Sequence, residues 1–452
     1  MRSNLFPFAS LLLIFLFPLK GLAQLPLMQI SDMEYEGAFI VPSNTYGESS
    51  SNYAGGAFAL SANKKSFYLA GHNVHGAIAE FTIPEIVKSD SLHDLKAAII
   101  KQDFISLMNL TPDGNPQGIN RIVGLKVVDG RLLINALEYY DAPANNTHTT
   151  FVAEDASNLA TSEITGYYKV AGAAHAGGWI SDVPNEWISD LGGNYIMGNS
   201  SKFPINSRSA MGVSAFVFDP AELVNNTSEV IPSTVLMDFD LNDPLYEDFQ
   251  DYANGHYNLI EINGSTPSGH TFEDADAIVG SNSLWTSESQ ARFGFIVPGT
   301  RTYMSIGSSG VHFSGIGYKA TQNNGNLCGG PCPYDSDDVY NHYWLWDLED
   351  LIEVKNGLKL PFEMRPYDYG TLELPLQYDD YNSVPEFHRI VGGDYDADNN
   401  MLYLTLYDGG ASGNPYARNP AILAYRIKSA STAVNPSLSL EALYTGFNQP
   451  TK

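Results

Sequence analysis

The chain has 452 residues, with 51 acidic against 24 basic side chains and a formal net charge of −27 at pH 7. Such a balance argues against nucleic acid and anionic membrane as partners, since both need a basic footprint. It leaves room for a polyanionic substrate, because a few Arg and His can form a local basic patch inside an acidic shell.

The first residues, Met1-Arg2-Ser3-Asn4, lead into an apolar run from Leu5 to Leu19 that ends at Gly21-Leu22-Ala23-Gln24. A charged start, a short apolar run and small residues at its end predict a secretory signal peptide over 1–24. The run is too short, and too interrupted by Pro7 and Pro18, to span a membrane. Residues 25–452 are then expected to form one exported domain, secreted or periplasmic, monomeric and not inserted in membrane.

With 27 Tyr, 22 Phe, 40 Gly and 25 Pro, the composition predicts β-structure with many turns. Met33 to Val41 reads as a lone strand ahead of any repeat, of the kind that completes the last blade of a β-propeller. Five units follow, each with small residues near its entry. The first holds Gly55-Gly56-Ala57-Phe58, then Phe67-Tyr68-Leu69-Ala70 and Ala77 to Ile83, with an outer strand near Ala97 to Ile100. The second holds Ile122 to Val128, the turn Asp129-Gly130 and Leu132 to Ala136, a strong hairpin signal. The third holds Gly177-Gly178-Trp179-Ile180, Tyr195 to Gly198 and Val213 to Phe218. The fourth is read from Ala277 to Gly280, Phe293 to Val297, Thr302 to Ile306 and Tyr343 to Trp346. The fifth holds Gly392-Gly393-Asp394, Leu402-Tyr403-Leu404 and Ala421 to Ile427. Outer strands are expected at Thr234 to Phe239 and Thr371 to Leu374, and helical caps at Pro220 to Leu223 and Leu348 to Glu353.

A degenerate strand repeat with Gly at its entries predicts an all-β fold, a β-propeller of five blades. Six or seven blades stay open, because Tyr257 to Ile262 reads as a further strand. Gly at the entries lets inner strands crowd around an axis where side chains would collide. The uneven spacing marks two long insertions, near 240–272 and 311–341, which are expected to shape a binding face.

Several residues with chemistry fall at strand ends, where propeller sites form. His72 and His75 sit in Gly71-His72-Asn73-Val74-His75-Gly76, His175 precedes the third unit, His312 follows a strand of the fourth, and His388-Arg389 precede the fifth. Arg121 enters the second unit, and Tyr139-Tyr140 leave its second strand. Arg, Tyr and His together suit β-elimination from a uronate. The cation neutralises the carboxylate and acidifies the neighbouring carbon–hydrogen bond, a His or Tyr takes the proton, and a Tyr donates to the leaving oxygen. The catalytic candidates are therefore His72, His75, His175, Tyr139, Tyr140, Arg121 and Arg389, with His388, His312 and Trp179 as substrate contacts. A glycosidase would instead draw two carboxylates from Asp141, Asp182, Asp274, Asp276 and Asp394, and a glycan-binding propeller would use aromatic rings alone.

Cys328 and Cys332 are the two cysteines. In an oxidising compartment a disulfide between them is the leading reading, and a zinc shell with His342 and His312 the alternative. Asp394 to Asn400 resembles an oxygen-rich calcium loop but lacks the glycine and distal Glu of an EF-hand, and reads better as a turn. A structural zinc or calcium is thus the cofactor expectation.

The stretch from Tyr53 to Ile86, with "GTRTYMSIGSSG", "YWLWDLEDLIEVKNG" and "HRIVGGDYDADNNMLYLTLYDGG", resembles secreted bacterial propeller proteins of polysaccharide-degrading systems. By analogy with the propeller-fold ulvan lyases and ulvan-oligosaccharide dehydratases, the resemblance implies elimination chemistry on uronate sugars. It assigns no residue roles. The expectation is a lyase or dehydratase acting on an acidic polysaccharide or oligosaccharide; the alternatives are a glycoside hydrolase on the same scaffold and a non-catalytic glycan binder.

Overall fold

The computed structural model describes residues 25–428 except 142, 144, 201–210, 226–228, 241–242, 246–283, 287, 311–315, 319–330, 334–336, 379–385 and 411–416. The signal-peptide segment, Tyr257 to Ile262 and the acidic run around Asp274 and Asp276 lie outside the described residues.

The described strands form five antiparallel blades around one axis. The first blade is Phe58–Leu60, Ser66–Ala70, Ala77–Thr82 and Ile99–Ser106, from the axis outward. The second is Arg121–Val128, Arg131–Leu137, His148–Ala153 and Ile164–Val170, with Val230–Ile231 added in parallel at its edge. The third is Trp179–Asp182, Tyr195–Gly198, Ala215–Phe218 and Thr234–Met237. The fourth is Gln290–Ile296, Thr302–Gly310, Val339–Asp347 and Asp368–Thr371; the segment Ala277 to Gly280 that the sequence assigns to this blade lies outside the described residues. The fifth is Ile390–Asp396, Met401–Leu406 and Ala421–Ile427, completed by Met33–Ile40. That last pairing runs antiparallel from Met33 opposite Ile427 to Ile40 opposite Ala421, and it closes the ring with strands from both ends of the chain.

The middle strands read as unbroken apolar runs because neighbouring blades cover both faces. Ser66–Ala70 and Met401–Leu406 are buried at every position. The outer strand Ile99–Ser106 has one face in solvent, and its exposure alternates accordingly, with Ile99 68% exposed. The cap after the fourth blade's third strand is the helix Leu348–Lys355. The Asp347 side chain caps its first turn by accepting from the Glu349 amide, Glu349 and Asp350 favour its N-terminus, and Leu348, Leu351 and Val354 pack inward.

The axis is crowded, as the entry glycines require. A Cβ on Gly392 would lie 1.9 Å from the Gly56 carbonyl oxygen, and one on Gly124 would lie 1.9 Å from that of Gly178. Three inner strands also bulge near their starts. Register skips Val123 in the second blade, Arg292 in the fourth and Val391 in the fifth. All five inner strands start at one end of the axis, here the entry end, and finish at the other, the exit end.

Candidate functional site at the entry end

The entry end gathers the starts of the inner strands and the turns that follow each second strand. His72 and His75 occupy the turn between Ser66–Ala70 and Ala77–Thr82 in the first blade. Their rings stack at 4.5 Å, and Tyr53 meets His72 at 5.4 Å. The His75 Nδ1 lies 2.9 Å from Ser49 Oγ, while His72 Nδ1 accepts from the Val74 amide at 3.3 Å. Burial, then the charges of His75 and Arg121, hold the His72 ring below the ordinary histidine value of 6.5, which keeps it neutral near pH 7.

Arg121, the first residue of the second blade, donates to the backbone carbonyls of Asn73 and Asn120 and lies 4.9 Å over the Tyr139 ring. Tyr140 packs edge-on against Tyr139 at 4.7 Å. The three tyrosines at this rim are exposed, Tyr53 by 42%, Tyr139 by 37% and Tyr140 by 62%. The fourth blade contributes Arg292, the bulge residue of its inner strand. Burial, then the charge of Arg389, lower its guanidinium to about 10, and Tyr139 also falls within its electrostatic reach. Its Nε is buried without a hydrogen-bond partner. The fifth blade contributes Arg389 just before its inner strand and Tyr407-Asp408 just after its second strand.

Half-buried Arg292 and Arg389 lie within electrostatic reach of each other, and Tyr139, under Arg121, is also within reach of Arg292, so three blades each bring a guanidinium to this end. Among the described residues none of these guanidiniums has a carboxylate within ion-pair distance, though the charge of Arg389 acts on Asp408. Elsewhere Arg301 pairs with Asp347 and Glu349, Arg418 with Glu386 and Asp408, and Arg426 with Glu36, while Arg365, like Arg121, donates to backbone carbonyls. Guanidiniums without carboxylates at ion-pair distance, beside exposed aromatic rings, have the chemistry to take up an anion.

A carboxyl group stands next to this cluster. Asp408 is 3% exposed, adopts a left-handed backbone (φ 58°) and bonds Arg418 Nη1 at 3.1 Å, the same nitrogen that Glu386 meets at 2.7 Å. Burial pushes its carboxyl up to about 7 against the pull of Arg418.

Not every residue expected at the site reaches it. His175, in the short 3₁₀ turn Ala173–His175, is held by Asp238 through Nδ1 at 2.5 Å, beyond the outer strand of the third blade. His388 is 2% exposed, with its Nδ1 bonded to the Leu376 carbonyl, and Trp179 is 4% exposed, donating to the Tyr303 hydroxyl at 3.0 Å. Burial withdraws both rings from a bound sugar, so the substrate contacts expected of them are corrected. His312 and Cys328 lie outside the described residues, as does the Cys332 side chain. His342 is buried against Trp344 at 4.7 Å. Among the described residues no three His, Cys, Asp or Glu side chains are grouped to hold a metal ion. The suggested calcium loop is a hairpin turn closed on itself, with Asp396 accepting from the Asp398 amide and the Asn399 side chain.

Of the carboxylates considered for hydrolysis, Asp274 and Asp276 lie outside the described residues, and the other three are held by contacts of their own. Asp141 is buried and accepts from the amides of Asn145 and Asn146, which shapes its own loop. Asp182 and Asp394 are at the exit end, where both bind Lys126, at 2.7 and 3.0 Å. Arg292 and Asp408 were not singled out by sequence reasoning. Arg292 had a signal: aligning Ile122-Val123-Gly124, Ala291-Arg292-Phe293 and Ile390-Val391-Gly392 as repeats puts a lone Arg where the other two blades carry Val.

No family model matches the chain, and no curated protein is similar to it. Among solved structures it is similar to the α-L-arabinofuranosidase PaAbf62A from Podospora anserina in complex with cellotriose, at 10% identity over 90% of this chain and 99% of that one, with a TM-score of 0.35. That overlap is loose and carries no argument; the five-bladed fold rests on the sheet topology itself. Among the described residues, no helix is long and apolar enough to cross a membrane.

Proposed function

We propose that the protein is an exported enzyme of polysaccharide breakdown that cleaves a uronate-bearing glycan by β-elimination at the entry end. The observation that carries this reading is the gathering of Arg121, Arg292 and Arg389 at one end, with no carboxylate among the described residues at ion-pair distance, in a chain of net charge −27. The guanidiniums would take the uronate carboxylate, whose neutralisation acidifies the adjacent carbon–hydrogen bond. The Val74 amide at His72 Nδ1 puts the neutral ring's proton on Nε2, which makes His72 a donor. His75 can donate from Nδ1 to Ser49 and leave Nε2 bare as the base. The base takes the carbon-bound proton, the carbon–oxygen bond to the leaving sugar breaks, and Tyr139 gives its proton to the departing oxygen. The products are an unsaturated uronate and a free hydroxyl. The exposed tyrosines of the rim supply stacking faces for sugar rings.

A second reading is hydrolysis on the same face. It is favoured by Asp408, which burial keeps protonated towards neutral pH, and by Glu386 on the same Arg418 nitrogen. A retaining hydrolase needs two such carboxyl groups about 5–5.5 Å apart, one of them protonated.

Incubation with uronate-bearing and with neutral oligosaccharides separates the two. We expect a new conjugated double bond, followed by ultraviolet absorbance, from the uronate substrates alone, and a loss of about 100-fold in turnover in Arg292→Met. Reducing ends without unsaturation would move the assignment to hydrolysis. Turnover of neutral glycans that Arg292→Met leaves intact would overturn the anion site.

A further inference from the structure

At the exit end of the axis lies a second concavity, a cavity of about 680 Å³ whose lining comes from the second to the fifth blades. Its size falls within the ~300–1,000 Å³ of small-molecule sites. Its chemistry is the reverse of the entry end. Asp129, Asp182, Glu186 and Asp219 line it, against the single base Arg131.

Two of these carboxylates are aimed by donors behind them. Asp182 Oδ2 is bound by buried Lys126 at 2.7 Å, yet the Asp182 side chain is still 47% exposed. Burial alone would lower the Lys126 ammonium, but Asp182 and Asp394 outweigh it and hold Lys126 well above the ordinary lysine range, charged at every accessible pH. Asp219 accepts from the Ala221 amide at 2.9 Å and from Asn194 Nδ2 at 3.2 Å. Both carboxylates are therefore oriented before a ligand arrives, which cuts the ordering cost of binding. The aromatic face is half-buried Tyr195, backed by buried Tyr395 and Phe295, which stack on each other at 4.5 Å. The Tyr195 hydroxyl, pushed up to about 12 by burial and then by Asp182, stays protonated and can both donate and accept.

We infer that this cavity is a second carbohydrate site that takes a neutral sugar. Fixed carboxylates and an amide accept and donate to adjacent hydroxyls, the Tyr195 ring covers a sugar face, and the net negative lining turns away the uronates that the entry end attracts. The protein would hold a neutral stretch of glycan at one end of its axis and an acidic residue at the other.

The test is calorimetric titration of the whole protein with xylotriose, maltotriose, a glucosamine trimer and trigalacturonate. A neutral trisaccharide is expected to bind, about tenfold more weakly in both Tyr195→Ala and Asp219→Asn, and unchanged in Arg292→Met. Trigalacturonate is expected to show the reverse pattern, which separates failure of this site from failure of the entry-end reading. Asp219→Asn is near-isosteric and guards against misfolding in Tyr195→Ala. Absence of neutral-sugar binding, neutral-sugar binding that ignores both exit-end variants, or a preference for the glucosamine trimer would each overturn the inference.

Discussion

The two ends of the axis use the same kind of group in opposite ways. At the exit end one buried cation, Lys126, is held between two carboxylates from different blades, and the Leu60 amide adds a hydrogen bond to Asp394 at 2.8 Å. Four blades are tied together there. At the entry end no carboxylate among the described residues lies within ion-pair distance of the three guanidiniums, although the charge of Arg389 reaches Asp408 and makes that of Arg292 less favourable. A charge satisfied within the fold contributes to stability, while one left unsatisfied is kept ready for a partner from solution. The difference shows Lys126 satisfied inside the fold, while the entry-end guanidiniums are the ones left available to a partner from solution.

The largest effect should come from removing the same charge at each end. Lys126→Met leaves Asp394 buried and unpaired and is expected to lower the unfolding free energy by about 3–5 kcal/mol in chemical denaturation. Arg292→Met removes a charge with no carboxylate among the described residues at ion-pair distance, so its denaturation midpoint should hold or rise while turnover falls. Equal losses of stability from the two variants would break the comparison. A somewhat smaller effect is expected for Gly124→Ala. Its methyl group would meet the Gly178 carbonyl at 1.9 Å, backbone that cannot step aside, and the loss should sit near the upper end of the about 1–3 kcal/mol typical of overpacking. Thermal melting measures it, and an unchanged melting temperature would mean that the inner strands are packed less tightly than described.

The smallest effect sharpens the electrostatics of the entry end. His72 should titrate below 6.5 in a proton NMR series, because burial and the charges of His75 and Arg121 disfavour its protonated form. Arg121→Gln removes one of those cations, so the midpoint should move up, towards the ordinary value. A midpoint that stays in place would separate Arg121 from the histidine pair.

Much of this architecture could be read from residues in order. Asp129-Gly130 between two apolar runs announced a hairpin, and Val128 does pair with Arg131 across it. The lone strand from Met33 reads as the piece that closes the ring because it precedes every repeat. In the fourth blade the ladder with Thr302–Gly310 identifies Gln290–Ile296 as the inner strand, while Ala277 to Gly280 lie outside the described residues. The gathering of His72, His75, Arg121, Tyr139 and Arg389 at one end of the axis was legible from residue type and strand end; a catalytic role for them is the proposal. The placement of Trp179 and His388 was not legible, because burial depends on what the neighbouring blade places against them.

The sequence by itself determined the class of fold, since apolar runs, turn pairs and entry glycines are local signals that the backbone must obey. It also determined that the protein is strongly acidic, which makes any unpaired cation conspicuous. Only the tertiary structure decided which cations are unpaired. Lys126 and Arg292 both lie inside apolar strand segments, and nothing in those segments says that one meets Asp182 and Asp394 while the other is turned out by a bulge towards Arg389. Pairing is set by residues up to 268 positions away along the chain, brought together by ring closure. The contrast between the two ends of the axis is therefore a property of the closed propeller, not of any single blade.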